Sequence, residues 1–146
     1  MADIHIDDFY HDCAHILLRL YRVFPRSSTL YVDDIIGSYE PDEFGIPHDR
    51  HLACFGSMIW LGSEGYLRYQ DTIRQDAIDQ AVLTETAFVR LAGLTLLASA
   101  PETDPQVPPS VAEQQATLAQ QLRNAVQSQS ATNIKQVLKA FFTNSR

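Results

Sequence analysis

The chain has 146 residues, of which 45% are hydrophobic and 20% charged, and its net charge is −7. This length and composition are typical of a single globular domain and exclude a globally disordered chain. The negative charge opposes non-specific attraction to nucleic acid and to anionic membranes. It is concentrated in the first half, since residues 1–70 hold 11 Asp or Glu against 5 Arg, whereas both lysines lie in the C-terminal tail.

The two cysteines, Cys13 and Cys54, occur within apolar helical patterns. Two are fewer than a disulfide-stabilised secreted domain usually carries, so we expect both to be reduced and buried. The N-terminal residues lack the basic and apolar regions of a signal peptide, and the longest apolar stretch, 91–100, is too short to cross a bilayer. The sequence therefore predicts a cytoplasmic protein with no membrane partner.

Apolar residues at three- and four-residue steps predict a first helix over about 7–24, which Pro25 ends. Asp7 or Asp8 is expected to cap its start, where a carboxylate also suits the helix dipole. The opposite, polar face is predicted to hold Asp12, His15, Arg19 and Arg22.

A short strand and a short helix are predicted over 30–36, with Gly37 as the C-cap. The next segment, 38–48, contains two prolines, a glycine and three acids, which predicts a loop. A second long helix is expected over 49–63, ending at Gly65. Its predicted apolar side comprises Leu52, Phe55, Ile59 and Trp60.

Two strands are predicted next, over 66–69 and 77–83, with a polar turn at 70–75 between them. The second strand is expected to alternate Ile78 and Val82 on one face. Thr84 then caps a helix. The predicted buried side of this helix comprises Ala87, Phe88, Leu91, Leu94 and Leu97.

Prolines divide the chain into a domain at 1–98, a linker at 99–109 and a C-terminal helical pair at 110–146. The pair is predicted as helices over 110–128, capped by Ser110, and over 132–143. The last helix must bury its apolar face, either on the main domain or on another copy of the chain. That face, the predicted oligomer or partner interface, comprises Ile134, Val137, Leu138, Phe141 and Phe142.

The order of predicted elements, with the segment Trp60-Leu61-Gly62-Ser63-Glu64-Gly65-Tyr66-Leu67, resembles the winged-helix fold over residues 8–97. In this resemblance the segment contains the end of a recognition helix and the start of the first wing strand. The second wing strand ends at residues 81–84. The layout is similar to small uncharacterised winged-helix proteins of bacteria and their mobile elements. The fold class expected is mainly α with a small β-hairpin, a winged-helix core followed by two C-terminal helices.

The resemblance implies a candidate DNA interface, because in DNA-binding winged helices the helix before the wing enters the major groove. The matching segments are the helix 49–63 and the wing 68–75. Their candidate contacts are Arg50, His51, Ser57, Arg68 and Arg74. Three arginines surrounded by several acidic residues provide little net positive charge for binding the phosphates of DNA. The leading hypothesis is therefore an adaptor or regulator acting through protein contacts, including self-association, and the alternative is a DNA-binding transcriptional regulator.

Other residue patterns do not add up to an active site or a metal centre. His11 and His15 are one helical turn apart but lack a further ligand fixed by spacing, and the set His48, His51 and Cys54 shares the same weakness. No phosphate-binding glycine loop or nucleophile–base pair accompanies the acids. The sequence thus predicts no catalytic residue, metal, cofactor or small-molecule substrate, and it predicts packing rather than base stacking for Trp60.

Overall fold

A computed structural model describes residues 4–93 and 117–143. These ranges contain six helices and a small antiparallel sheet, which confirms the predicted class of mainly α with a small β part. The elements are α1 (Ile4–Val23), β1 (Ser28–Tyr31), α2 (Val32–Ile36), α3 (Asp49–Ser63), β2 (Leu67–Arg68), β3 (Asp71–Ile73), β4 (Ala77–Leu83), α4 (Glu85–Ala92), α5 (Leu118–Gln127) and α6 (Ala131–Thr143).

Strand β4 is the centre of the sheet. Ala77 and Ile78 pair with both β1 and β3, so these two strands lie on opposite edges of β4, and β2 pairs with the end of β4 through Leu67 and Leu83. The prediction of a polar turn over 70–75 was therefore wrong in part, because it contains β3. The three side chains of β3 are all exposed, so the strand lacks the hydrophobic alternation by which a half-buried strand is recognised.

The burial pattern of β4 changes phase in the middle of the strand. Ile78, Ala81 and Leu83 are buried, whereas Val82, predicted to share the face of Ile78, is only half-buried. Gln80 has a φ of 52°, and the register with β1 shifts at the same place. This bulge moves the following side chains to the other face, so strict alternation fails.

Helix α1 supplies the central face of the core. It begins at Ile4, three residues before the predicted start, so Asp7 and Asp8 lie inside the helix and do not cap it. The buried face comprises Cys13, Ala14, Ile16, Leu17 and Leu20. Asp12, predicted on the polar face, is also fully buried, because α1 contacts helices on more than one side.

Helix α3 has the predicted bounds but presents a different face to the core. His48 caps it, with its Nδ1 accepting a hydrogen bond from the Arg50 backbone N–H at 3.0 Å. The buried residues are His51, Cys54, Ser57, Met58 and Leu61. Of the predicted residues, Phe55 and Ile59 pack against the core but are only partly buried, and Trp60 is exposed. Apolar residues occur around much of this helix, so its contacts with α1 and α2 decide which side is covered.

The segments that flank the undescribed stretch meet in space, since the Leu118 backbone N–H donates to the Gly93 carbonyl at 2.9 Å. Thr84 caps α4 as predicted. The continuous helix predicted over 110–128 was wrong, because Thr117 has an extended backbone and caps α5 through its hydroxyl. Helices α5 and α6 both pack against α1. Leu94, Leu97, Ser110 and the predicted linker 99–109 lie outside the described residues.

Candidate functional site

The exposed face of α3 is the surface that the sequence pointed to for DNA recognition. Its exposed residues are Asp49, Ala53, Gly56, Trp60 and Ser63. None of them is basic, and Arg50 is the sole arginine in the helix, which contains no lysine. Phosphate contacts depend on Lys and Arg side chains, so the location of Arg50 decides what this face offers to DNA.

Arg50 is directed into the protein. Its Nη1 and Nη2 donate to the two carboxylate oxygens of Asp12 at 2.7 and 2.6 Å, and its Nε lies 3.6 Å from Asp8. The Asp12 side chain is 0% exposed and that of Arg50 only 17%. In this arrangement Arg50 does not present its guanidinium to a phosphate, because Nη1 and Nη2 both donate to the Asp12 carboxylate.

The two partners also stabilise each other's charge. The hydrogen bonds with Asp12 raise the pKa of Arg50 further above its usual value. Burial alone would raise the pKa of Asp12, but hydrogen bonds from Arg50 and His11 outweigh burial and lower it. Both groups are thus charged at neutral pH, and the bidentate geometry is the one in which an Arg–carboxylate pair is strongest.

His51 and Ser57, also predicted to face DNA, are buried as well. His51 Nε2 donates to the Gln75 carbonyl at 2.8 Å and lies 3.1 Å from the Asp76 carboxylate, so it ties α3 to the turn between β3 and β4. The Ser57 hydroxyl donates to the Ala53 carbonyl one turn earlier. Neither side chain lies on the exposed face, because polar residues within a helix can be satisfied locally or by the backbone of a neighbouring element.

Arg68 and Arg74, which were predicted to lie on a wing, are exposed, as a nucleic-acid contact would require. Arg68 lies in β2, and Arg74 occupies the turn that follows β3, with a φ of 52°. Asp71 and Asp76 are exposed in the same hairpin. The five candidates are therefore not brought together, since two lie in the β2–β4 segment and three are turned away from the exposed face of α3.

The predicted interface residues of α6 are enclosed within the chain. Ile134, Val137, Leu138 and Phe141 are buried in the common core, where α6 packs on α1 and α5. Phe142 is half-buried, with its ring centroid 5.6 Å from Trp60 and 6.3 Å from Phe9. Of the two locations left open, the structure shows packing on the main domain, where four of the five side chains are buried.

Trp60 belongs to the aromatic cluster that joins α1, α3 and α6. Its ring centroid lies 5.2 Å from that of Phe9, in an edge-to-face arrangement, and 6.4 Å from that of Tyr66. These contacts confirm the predicted packing role. The residue is nevertheless 39% exposed, so one part of the indole belongs to the outer surface of α3.

An apolar surface that the sequence did not single out lies in the loop 38–48. The Asp42 carboxylate accepts hydrogen bonds from the backbone N–H groups of Phe44 and Ile46, both at 2.9 Å, and the Asp42 N–H donates to the Ile46 carbonyl at 3.0 Å. This turn presents Phe44 at 79% exposure and Ile46 at 55%. The sequence did contain a signal for this surface, because two large apolar residues occur in a loop that is otherwise rich in acidic residues.

The remaining candidate chemistry is not assembled into a reactive site. Cys13 and Cys54 are free and buried, as predicted. Burial raises the pKa of Cys54 to about 12 and that of Cys13 well above its usual value, so neither is a ready thiolate nucleophile. Within 4–93 and 117–143, no group of three or more His, Cys, Asp or Glu side chains has the arrangement of a metal site.

Comparison with protein-family models, with characterised proteins and with solved structures found no significant match to this chain. None of the six helices in the described ranges combines the length and apolarity needed to cross a bilayer.

Proposed function

We propose that this chain is a non-enzymatic winged-helix protein that acts as an adaptor or regulator through contacts with other proteins. Support for the fold comes from the order α1–β1–α2–α3 followed by a hairpin, and from the antiparallel sheet order β1–β4–β2. Here α3 precedes the hairpin as a recognition helix precedes its wing.

The observation that carries the functional part is the Arg50–Asp12 ion pair. It removes the sole arginine of α3 from the helix surface and leaves Ala53, Gly56 and Trp60 as the exposed centre of that face. Exposed aromatic residues such as Trp60 are enriched at protein-contact surfaces, whereas DNA-binding surfaces are strongly basic. The exposed Phe44 in the acidic loop adds a second protein-contact element.

The proposal is tested by site-specific photo-crosslinking in the cells from which the protein comes. A photo-reactive residue at Ala53 or Phe44 is expected to capture a discrete protein, and the same residue at the exposed Gln127 of α5 is the control. The proposal would be refuted if neither position captured a protein that the control position does not also capture. Analytical ultracentrifugation over a wide concentration range measures whether the chain self-associates. It thereby distinguishes a second copy of the chain from a different protein as the partner.

The alternative is a DNA-binding transcriptional regulator, and it is favoured by one observation, the exposure of Arg68 and Arg74 on the wing. We expect no binding of duplex DNA even at low salt, where phosphate contacts are strongest. Binding at low salt that is weakened in Arg68→Ala and Arg74→Ala, with a reduced salt dependence, would establish the alternative instead. Fluorescence anisotropy with labelled genomic fragments provides the measurement.

A further inference from the structure

A cavity of about 570 Å³ lies between α1 and the turn that joins α5 to α6. Two histidines of α1, His11 and His15, line it together with Asp7 and Asp8, and the turn residue Gln129 and the side chain of Ile134 line the other side. The volume is in the range of small-ligand sites. Both histidines are half-buried, in contrast to the freely solvated polar face expected from the sequence.

The two imidazoles lie against each other, with ring centroids 4.3 Å apart and planes inclined by 45°. A zinc ion bound at Zn–N distances of 2.0–2.1 Å holds two nitrogens about 3.3 Å apart in tetrahedral geometry. Rings at the observed separation reach that spacing by rotating about their side-chain bonds. One turn of α1 therefore supplies two nitrogen donors to the same cavity.

The other nitrogen of His11 is already oriented. Its Nδ1 lies 3.0 Å from the Asp12 carboxylate, which is fully buried and is itself held by Arg50. A hydrogen bond to that carboxylate places the proton on Nδ1 and leaves a lone pair on Nε2. Histidines that bind metal ions commonly donate their other ring N–H to a carboxylate in this way.

Carboxylates also line the cavity beside the two histidines. Asp7 and Asp8 bring negative charge to the cavity wall, although Asp7 lies 3.0 Å from Lys135 and Asp8 3.6 Å from Arg50.

We propose that His11 and His15 together bind a divalent transition-metal ion of the zinc class in this cavity. Imidazole nitrogens suit zinc, nickel and cobalt. Water completes the coordination, because the described residues contain no third ligand in place. The ion therefore exchanges readily and leaves open positions facing the cavity. This site is separate from the protein-contact surfaces proposed for α3 and the loop 38–48.

The experiment titrates the metal-free full-length protein with Zn²⁺ alone by calorimetry and with Co²⁺ alone by absorption spectroscopy. One ion per chain is expected to bind, and His11→Ala and His15→Ala are each expected to weaken binding by at least about tenfold. His5→Ala, at an exposed position of the same helix, is the matched control and is expected to leave the affinity unchanged.

The second measurement follows the imidazole ¹⁵N chemical shifts of His11 and His15 in the wild-type protein. Because no residue is substituted, a change in these shifts cannot arise from a structural effect of a substitution. Metal-dependent shifts at both rings support the site, and competition by protons is expected to weaken binding as the pH falls. The proposal is overturned if the wild-type protein binds no stoichiometric ion, if shifts are absent from these rings, or if His5→Ala removes the binding.

Discussion

Asp12 occupies a position that the sequence pattern assigns to the polar face of α1, yet its side chain is fully buried against α3. It accepts two hydrogen bonds from Arg50 and is contacted by His11. Burying a carboxylate is expensive unless it is paired and hydrogen-bonded, and here every requirement is met by residues from two helices. The same pair explains why Arg50 is not a surface residue.

Replacing Asp12 with alanine leaves the guanidinium of Arg50 largely buried without its partner. We expect Asp12→Ala to lower the free energy of unfolding by about 3 kcal/mol, as for other broken buried ion pairs. Urea denaturation followed by circular dichroism gives the value. Arg22→Ala, at an exposed position of the same helix, is the control and should change stability by less than about 0.5 kcal/mol. An equal effect of both variants would contradict a structural role for the pair.

His15 gives the stability a pH dependence whose sign follows from its lowered pKa. Burial and the charge of neighbouring His11 and Arg19 favour the neutral ring in the folded state, whereas the unfolded chain keeps the ordinary value of 6.5. The unfolded chain therefore binds more protons below that pH, so the stabilisation is present above about pH 6.5 and is lost as the pH falls through the folded-state pKa.

Denaturation of the metal-free protein at a series of pH values between 7.5 and 5 is expected to show a fall in the free energy of unfolding, roughly within the range where histidine titrates. His15→Gln should flatten this profile, and His5→Gln should leave it as in the wild type. A profile that is equally steep in His15→Gln would show that another group is responsible.

At the scale of elements, the bounds of α3 and the start of α4 were predicted correctly, whereas the starts of α1 and α5 were not. Thr84 accepts a hydrogen bond from the Ala87 N–H at 3.3 Å, and its own hydroxyl donates to the Gly65 carbonyl at 2.7 Å. It thereby joins the start of α4 to the turn after α3. Helix faces were predicted less well, since α3 carries apolar residues around much of its circumference.

Loss of this cap should be measurable in an otherwise conservative variant. We expect Thr84→Ala to destabilise the protein by about 1–2 kcal/mol, because it removes the N-cap and a second hydrogen bond. Thr86→Ala is the matched control, since Thr86 is exposed within the same helix and alanine is the better helix former. Chemical denaturation of both variants tests the difference, and equal stabilities would rule out the capping contribution.

At the scale of the whole molecule, the C-terminal helices belong to the core of the main domain. Phe141 is fully buried, and the Arg90 guanidinium donates to its carbonyl at 3.1 Å, which ties α4 to the end of α6. The single tryptophan, Trp60, contacts Phe142 of α6 and Phe9 of α1. Its fluorescence therefore reports on the junction of three helices.

If α6 is an integral part of this core, Phe141→Ala should lower the free energy of unfolding by about 3–5 kcal/mol, as for other large-to-small core substitutions. Trp60 fluorescence and helical circular dichroism should change in one coincident transition in the wild type. Lys139→Ala, at an exposed position of α6, is the control. Separate transitions, with α6 lost first, would show that the terminal helices form an independent unit.

The sequence by itself determined the bounds of α3 and β4, the Thr84 cap and the mainly α class, because these depend on local periodicity and on hydrogen bonds between near neighbours. It could not determine which face of α3 is buried or that β3 pairs with β4.

Tertiary structure alone decided the candidate sites. Arg50 and Asp12 are 38 positions apart in the chain. His11 and His15 lie beside the α5–α6 turn because α6 packs on α1. Such contacts depend on how helices pack, and no short-range pattern encodes them. The physical reason is that a polar side chain is placed by the partner that compensates its burial, and this partner is often distant in the chain.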